Sequence, residues 1–488
     1  MNVEAHTDVC HSAGEQAEQS PPILRLPFSF SERRVLLILG DTLLVNAAVL
    51  AALYLWARVG AHALTSNFVR ARWFWFPVLT GAWWLLAALL DLYNVPTAGR
   101  RVEVAWRVAL VTLGLWIGYL AVYFVSPRNA LPRLFFLFFS GIALASMVLW
   151  RWAYATVFTL PPLCRRVLIV GAGWAGRTLA QMLSGQEAAD YQVVGFVDDD
   201  PEKQGAEVAG LPVLGRSADL RSLVRACQAD EVILAITHTM HGELFQALMD
   251  CRAVGIRVIR MPDLYEQLTR RIPVEHINEG WVLDALSGLS PLAHLERGAK
   301  RLLDLVCGLI GLVGLGLLTP LVALAIWLDD RGPVFYTQVR LGLDGKPFRL
   351  LKFRTMRSGA EEDGHPQWAR RNDDRVTRVG RLLRKVRLDE LPQVVNVLRG
   401  EMSVVGPRPE RPEFIADLEE RVPFYRTRLV VKPGLSGWAQ IHYGYGNSTQ
   451  DALIKLQYDL YYIRRWSLWL DLYIIFKTLG VVLRCQGT

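Results

Sequence analysis

Asp389 and Glu390 stand side by side within a run of basic residues. Arg375, Arg378, Arg381, Arg384, Lys385 and Arg387 precede them, and Arg399, Arg408 and Arg411 follow. Two carboxylates in such a stretch point to an electropositive pocket for phosphate, with an acid kept for metal or nucleophilic work. After the pair, Leu391, Val394, Val395 and Leu398 recur at helical spacing, and Pro392 is tolerated only in a first turn. This predicts a helix with Asp389 at or beside its N-cap, where the positive end of the dipole keeps a carboxylate ionised. A plain cap beside a solvated basic face is the alternative reading.

The elements that must position this pair are spread over 488 residues, enough for two or three domains. Hydrophobic residues make up 52%, which points to membrane segments, and the net charge of +8 suits an anionic partner. Nucleic acid is the weakest such partner, because no helix-turn-helix, zinc or RNA-binding signature accompanies the charge. The six cysteines have no CxxC pair or metal-ligand spacing and are read as free thiols of a reducing compartment. A polar tail over residues 1–30 is expected to be disordered. Four apolar runs follow within 31–160, at Val35–Ala57, Trp73–Tyr93, Ala105–Val125 and Leu134–Phe158. Each is near the ~20 residues needed to cross the hydrocarbon core. Arg33, Arg34, Arg100, Arg101, Arg107, Arg165 and Arg166 put both ends of this bundle on the cytoplasmic side. Asp41, inside the first run, is either functional or paired near the interface.

Residues 164–262 change texture. Strand signals at Arg166–Val170, Val193–Val197, Glu231–Ile236 and Ile256–Ile259 alternate with helical ones, predicting a Rossmann-like doubly wound sheet. Gly171, Gly173 and Gly176 follow the first strand, and Asp198-Asp199-Asp200 end the second. That is the dinucleotide fingerprint, but no Tyr-x-x-x-Lys pair lies nearby to make the domain a redox or epimerase centre. Residues 263–294 read as a linker with some strands. Leu302–Leu328 is apolar and long enough to span. Pro320 in its middle and basic residues on both flanks (Arg297, Lys300, Arg301; Arg331, Arg340) favour a re-entrant segment instead. Glu361–Arg371 reads as a mobile loop, Ile441–Asn447 as a turn-rich loop with room for sugar contacts, and Tyr458–Leu483 as one helix lying in the interface.

Four motifs stand in order: Lys352-Phe353-Arg354-Thr355-Met356-Arg357, Asp389-Glu390-Leu391-Pro392-Gln393, Gly406-Pro407-Arg408-Pro409, and Pro433-Gly434-Leu435-Ser436-Gly437-Trp438-Ala439-Gln440. Together they closely resemble the bacterial sugar transferase family, the monotopic polyprenyl-phosphate phosphoglycosyl transferases, from about Leu295 onward. Members with four membrane helices and a Rossmann-like domain extend the resemblance back to about residue 30. It implies a membrane protein of mixed α and α/β class, with a mostly helical catalytic domain over 295–488. In that domain a re-entrant helix 302–328 would break at Thr319-Pro320.

The resemblance also implies the reaction: sugar-1-phosphate passes from a UDP-sugar to undecaprenyl or another polyprenyl phosphate, UMP leaves, and polysaccharide synthesis begins at the inner membrane. By position, Asp389 would be the nucleophile and Glu390 its metal-binding or acid–base partner. Mg²⁺ would be the cofactor, held by these two carboxylates. Arg408 and Arg375 would contact the diphosphate or nucleotide. Lys352, Arg354 and Asp459 are further substrate-binding candidates, although Asp459 has the alternative of pairing with an arginine. Arg387 stands where many members have Ser before the Asp-Glu pair, which leaves the donor sugar open. Membrane lipid is an expected partner, and a homodimer is left open. Two other classes stay in play: a membrane-anchored NAD-dependent sugar epimerase or dehydratase, and a non-catalytic scaffold for polysaccharide assembly.

Overall fold

The computed structural model describes residues 30–60, 65–93, 101–125, 133–158, 164–185, 191–236, 241–277, 280, 293–357, 373–444, 446 and 448–483. The expected tail (apart from Phe30) and the loop Glu361–Arg371 lie outside the described residues. The chain divides into two compact units, Met1–Leu264 and Tyr265–Thr488.

In the first unit the apolar runs become helices Phe30–Val59, Trp75–Leu89, Arg101–Val125 and Arg133–Phe158. Aromatic and β-branched side chains such as Trp83, Val108, Phe135, Phe136 and Phe139 fill the space between them. The second helix is shorter than the expected Trp73–Tyr93. Its 15 residues cover about 22 Å, less than a ~30 Å hydrocarbon core. It stops early because Asp91 takes a left-handed φ of 58° and Leu92 N reaches back to Ala87 O at 2.9 Å. Among the described residues, four helices are long and apolar enough to cross a membrane: Glu32–Val59, Arg101–Phe124, Arg133–Val157 and, in the second unit, Leu295–Asp330. Asp41 is paired: Arg151 Nη2 lies 2.6 Å from its Oδ2, and both side chains are fully buried. Trp83 Nε1 donates to the same oxygen at 3.2 Å, and Arg151 also donates to Leu92 O at 2.9 Å.

The doubly wound sheet is present. Its strands are β1 (Arg165–Val170), β2 (Tyr191–Val197), β3 (Glu207–Val208), β4 (Leu211–Gly215), β5 (Glu231–Leu234) and β6 (Arg257–Arg260), in the order β3-β4-β2-β1-β5-β6. All pairings are parallel except β3 with β4. Leaving out β3, the order is that of a dinucleotide-binding sheet, with the reversal between β1 and β5. β3 and β4 were not foreseen; a two-residue strand and a Pro-containing one carry little period-2 signal. Of the cysteines, Cys251 and Cys307 are free as expected, whereas Cys227 stands in a disulfide.

The second unit begins earlier than expected. In place of a linker with strands, helix Met261–Thr269 runs into it and a 3₁₀ turn covers Val274–His276. Ile272 and Val274 are buried with Ile415, Leu418, Leu456 and Leu460. Glu266 pairs with Arg464 at 2.6 Å and Arg465 at 2.5 Å. These segments are too short to display a period, and their apolar residues are decided by what they dock against. Residues 278–279 and 281–292 of the expected linker lie outside the described residues.

Ala293–Asp330 is one helix of 38 residues with Pro320 inside. The break expected at Thr319-Pro320 does not interrupt it. Thr319 Oγ1 donates to Leu315 O at 2.6 Å, and the proline removes one backbone donor without ending the helix. Gly308 and Gly311 let Leu398 and Val394 approach one face, while Ile310, Leu317, Leu321 and Leu328 stay more than 60% exposed. Strands β7 (Phe335–Leu341) and β8 (Pro347–Phe353) form an antiparallel hairpin. β9 (Ser403–Val405) and β10 (Gly434–Ser436) pair in parallel. The C-terminal segment is two helices, Thr449–Arg465 and Leu468–Leu483, where one was expected; the chain leaves helical geometry at Trp466. In the second of them Trp469, Leu472, Phe476 and Leu479 form an exposed apolar stripe.

Candidate active site

Asp389 and Glu390 lie in a 3₁₀ turn, Leu388–Gln393, which leads into the short helix Val394–Arg399. This corrects the N-cap expectation. The helix starts five residues after Asp389, Pro392 sits in the 3₁₀ turn, and Arg387, not Asp389, precedes the turn with a left-handed φ of 55°. No dipole argument is needed, since side chains decide the charge of the pair. Lys352 Nζ on β8 lies 3.3 Å from Glu390 Oε1, and Arg408 Nη2 donates to the same oxygen at 2.7 Å. Burial alone would raise the Glu390 carboxyl, but Arg408, Lys352 and Arg387 hold it well below the usual carboxylate range. Asp389 moves the other way: burial first, then the charge of Glu390, raises it, against the pull of Lys352, Arg384 and Arg408. Burial also lowers Lys352, partly opposed by Glu390. Among the described residues nothing hydrogen-bonds the Asp389 carboxylate, although it is only 8% exposed. One acid is clamped and its neighbour is left free.

The glycine-rich motifs explain how Arg408 reaches the pair. Gly406, Gly434 and Gly437 bring backbones into direct contact; a Cβ on any of them would collide with main-chain atoms of the other motif. Gly406 N bonds to Ser436 O at 2.8 Å, so the second pair of strands holds the Gly-Pro-Arg-Pro turn against Pro433–Gly437. The long helix steadies the strand that leads into this turn. Asp304 Oδ1 accepts from Ser403 Oγ at 2.8 Å and Val404 N at 2.9 Å. Lys300 Nζ donates to Val405 O at 3.1 Å and lies 2.8 Å from the fully buried Asp471. An open cleft results, lined by Arg340, Leu350, Lys352, Gln393, Arg408, Pro409, Gly434 and Leu435.

Of the candidates named from sequence, Asp389, Glu390, Lys352 and Arg408 come together. The other three do not. Arg375 forks onto Asp373 (Nε–Oδ1 2.8 Å, Nη2–Oδ2 2.6 Å). Arg354 packs over Gly332 and pairs with Asp330 at 3.2 Å, tying down the end of the long helix. Asp459 is buried and pairs with Arg428 at 2.8 Å, the alternative kept open for it. Sequence reasoning missed Arg340, Gln393 and Arg428. Gln393 stood inside a quoted motif; the two arginines lie outside all four, and only the tertiary contacts single them out.

Among the described residues no group of three or more His, Cys, Asp or Glu side chains could hold a metal. Asp389 and Glu390 alone still fit Mg²⁺, which takes one or two carboxylates and completes its octahedron with water and substrate oxygens. The dinucleotide fingerprint is self-engaged. Gly176 lets the first helix of the sheet domain pack on Gly171, but Asp198 Oδ2 accepts from Ala172 N at 2.7 Å and Oδ1 from Asp200 N at 3.0 Å. Lys203 Nζ adds a cation 3.4 Å away. Asp198 is thus engaged by the glycine loop as well as by its own.

A buried carboxylate pair met by Lys352 and Arg408, in a chain with helices long and apolar enough to cross a membrane, is an arrangement that suits a membrane-associated enzyme. The chain belongs to the bacterial sugar transferase family, which matches residues 295–485. A CoA-binding domain family matches 88–262. The chain is 40% identical over 247 residues to a UDP-N-acetylgalactosamine-undecaprenyl-phosphate N-acetylgalactosaminephosphotransferase of Aeromonas hydrophila, covering 50% of this chain and 57% of that protein. It is 35% identical to a UDP-glucose:undecaprenyl-phosphate glucose-1-phosphate transferase of Xanthomonas campestris pv. campestris, covering 64% and 66%. It is 30% identical to an undecaprenyl-phosphate glucose phosphotransferase of Komagataeibacter xylinus, covering 92% and 85%. The first two alignments span less than two thirds of those relatives.

Proposed function

We propose that this protein transfers a sugar-1-phosphate from a UDP-sugar to undecaprenyl phosphate, releasing UMP, as the first membrane step of polysaccharide or glycoconjugate synthesis. The observation that carries the reading is the asymmetry of the pair: Glu390 is gripped by Lys352 and Arg408, while Asp389 is buried and unbonded beside it. A free carboxylate aimed at phosphate, with cations already in place, suits nucleophilic phosphoryl transfer. An Asp389 oxygen attacks the sugar-bearing phosphorus, the bond to the UMP oxygen breaks, and UMP leaves with the electron pair. An oxygen of the polyprenyl phosphate then attacks the aspartyl phospho-sugar, the acyl–phosphate bond breaks, and Asp389 is restored with a polyprenyl diphosphate sugar as product. Arg408 and Lys352 hold donor phosphates in line, and Glu390 keeps both cations oriented. Mg²⁺, held by Asp389 and Glu390 with phosphate oxygens, would supply further neutralisation of phosphate charge.

A soluble polyanion and a lipid phosphate can share such a site only at a membrane surface. Both polar ends of the long helix bond into one folded body: Arg301 to Val397 O and Leu398 O, Asp329 to Val379 N, and Asp330 to Arg354. That supports a long helix held at both ends by the catalytic unit rather than one that carries the chain across, with catalysis on the cytoplasmic side of the inner membrane. The stripe on Leu468–Leu483 suits the interface. The test is release of UMP from candidate UDP-sugars in the presence of polyprenyl phosphate, followed by mass analysis of the Asp389 peptide. An adduct of sugar-phosphate mass and ping-pong kinetics are expected. Sequential kinetics without adduct would make Asp389 no nucleophile. Hydride transfer would return the epimerase reading, and the absence of any turnover the scaffold reading.

A further inference from the structure

A turn that contains two prolines has few amide hydrogens with which to fix itself. Pro407 and Pro409 flank Arg408, so this turn is held through what its carbonyls accept. Four successive carbonyls are taken. Pro407 O accepts from Gly434 N at 2.8 Å and Glu410 O from Leu341 N at 3.0 Å. The two between them accept from arginine side chains: Arg408 O from Arg428 Nη2 at 3.1 Å, and Pro409 O from Arg340 Nη1 at 3.2 Å.

Arg428 is the more deeply placed of these arginines. Its side chain is 4% exposed, against 44% for Arg408. Both of its terminal nitrogens are engaged: Nη1 donates to Tyr425 Oη at 2.7 Å, and Nη2 lies 2.8 Å from Asp459, itself 2% exposed. A buried ion pair is weak evidence of stability, since an apolar pair of equal volume often serves as well. This pair instead spends a donor on one carbonyl of the motif that carries the active-site arginine. Arg408 is long, solvated and rich in rotamers, so where its guanidinium ends depends on where its backbone starts.

We propose that Arg428, anchored by Asp459, is a positioning residue for the transfer: it fixes the backbone of Arg408, and so places the guanidinium that holds Glu390 and meets the donor phosphates. A lysine cannot replace it, because one ammonium cannot serve Tyr425, Asp459 and the carbonyl from a planar fork. The inference rests on the phosphoglycosyl transfer reading above.

The test is a double-mutant cycle on the full chain in detergent or lipid, reading UMP release and thermal midpoint together. Misplacement by about an ångström costs on the order of 10²-fold. Arg428→Lys is therefore expected to lower kcat/KM about 10²-fold in the parent background and less than about 3-fold once Arg408 is already Ala. Where Arg428→Lys does not fold, Asp459→Asn, which keeps size and hydrogen bonding, is expected to show the same coupling with a smaller loss. Losses equal in both backgrounds would mean a purely structural pair and overturn the inference, as would an unimpaired Arg428→Lys or Asp459→Asn. A parent chain that releases no UMP defeats the transfer reading, and this inference with it; an active parent with additive losses defeats this inference alone.

Discussion

At the scale of residues, two neighbouring carboxylates end in opposite electrostatic states because two cations choose one of them. Lys352 and Arg408 meet on Glu390 Oε1, and Asp389 is left with burial and a like charge. Nucleophilic attack needs Asp389 ionised, and its carboxyl is raised. The acid limb of the rate–pH profile should therefore lie above the ordinary aspartate range near 3.9. Glu390→Gln removes the like charge and frees two cations, so the acid limb of the residual activity should move to lower pH; an upward move would contradict this account. Asp389→Asn should cut turnover by roughly 10³-fold or more while UDP binding persists. The linkage sign follows from the raised pKa. Ionised Asp389 is disfavoured in the folded state, a cost absent below the unfolded-state pKa and present above the folded one. The Asn variant should accordingly melt no lower than the parent at pH 7, and a clear fall in melting temperature would show that the charge stabilises the fold.

At the scale of elements, the site is built where backbones touch. The Gly-Pro-Arg-Pro turn and the Pro433–Gly437 segment interlock through glycines, and the hairpin that carries Lys352 closes the other side of the cleft. Gly434→Ala inserts a methyl group against the main chain of Gly406, so it should impair turnover about as severely as loss of Arg408. Kinetics of the two variants side by side would check this. Among the N-terminal helices, Asp41 and Arg151 form a fully buried clasp that also holds Trp83 and the carbonyl of Leu92. Removing one partner strands the other, so Asp41→Ala should lower stability by about 3–5 kcal/mol, measurable as an earlier thermal transition in detergent.

At the scale of the whole molecule, the unit that carries the site starts at Tyr265. Ile272 and Val274 complete a core with the helices that follow, each worth about 1.5–3 kcal/mol of burial. A shortened chain beginning at Tyr265 should keep UMP release in detergent, whereas one beginning at Pro291 should be less stable and lose activity on mild warming. Equal behaviour of the two would show that the docked segment is dispensable. An inactive but folded Tyr265 chain would mean that the sheet domain contributes to catalysis.

What the sequence determined by itself is what local pattern encodes. Four apolar runs, a strand–glycine–helix alternation ending in acids, and four ordered motifs around Asp389-Glu390 placed the architecture, the family and the carboxylate pair. Strong periodicity and steric necessity at glycine and proline are properties of short stretches, so they survive without a fold. Partner choice does not. Arg354, Arg375 and Asp459 looked equal to Lys352 and Arg408 by type and motif, yet their charges are taken by Asp330, Asp373 and Arg428. The docking of Ile272 and Val274, and the arginine hold on the carbonyls of Arg408 and Pro409, likewise join residues far apart in the chain. A charge is assigned by which opposite charge comes within a few ångströms of it, and that distance is set only when the chain has folded.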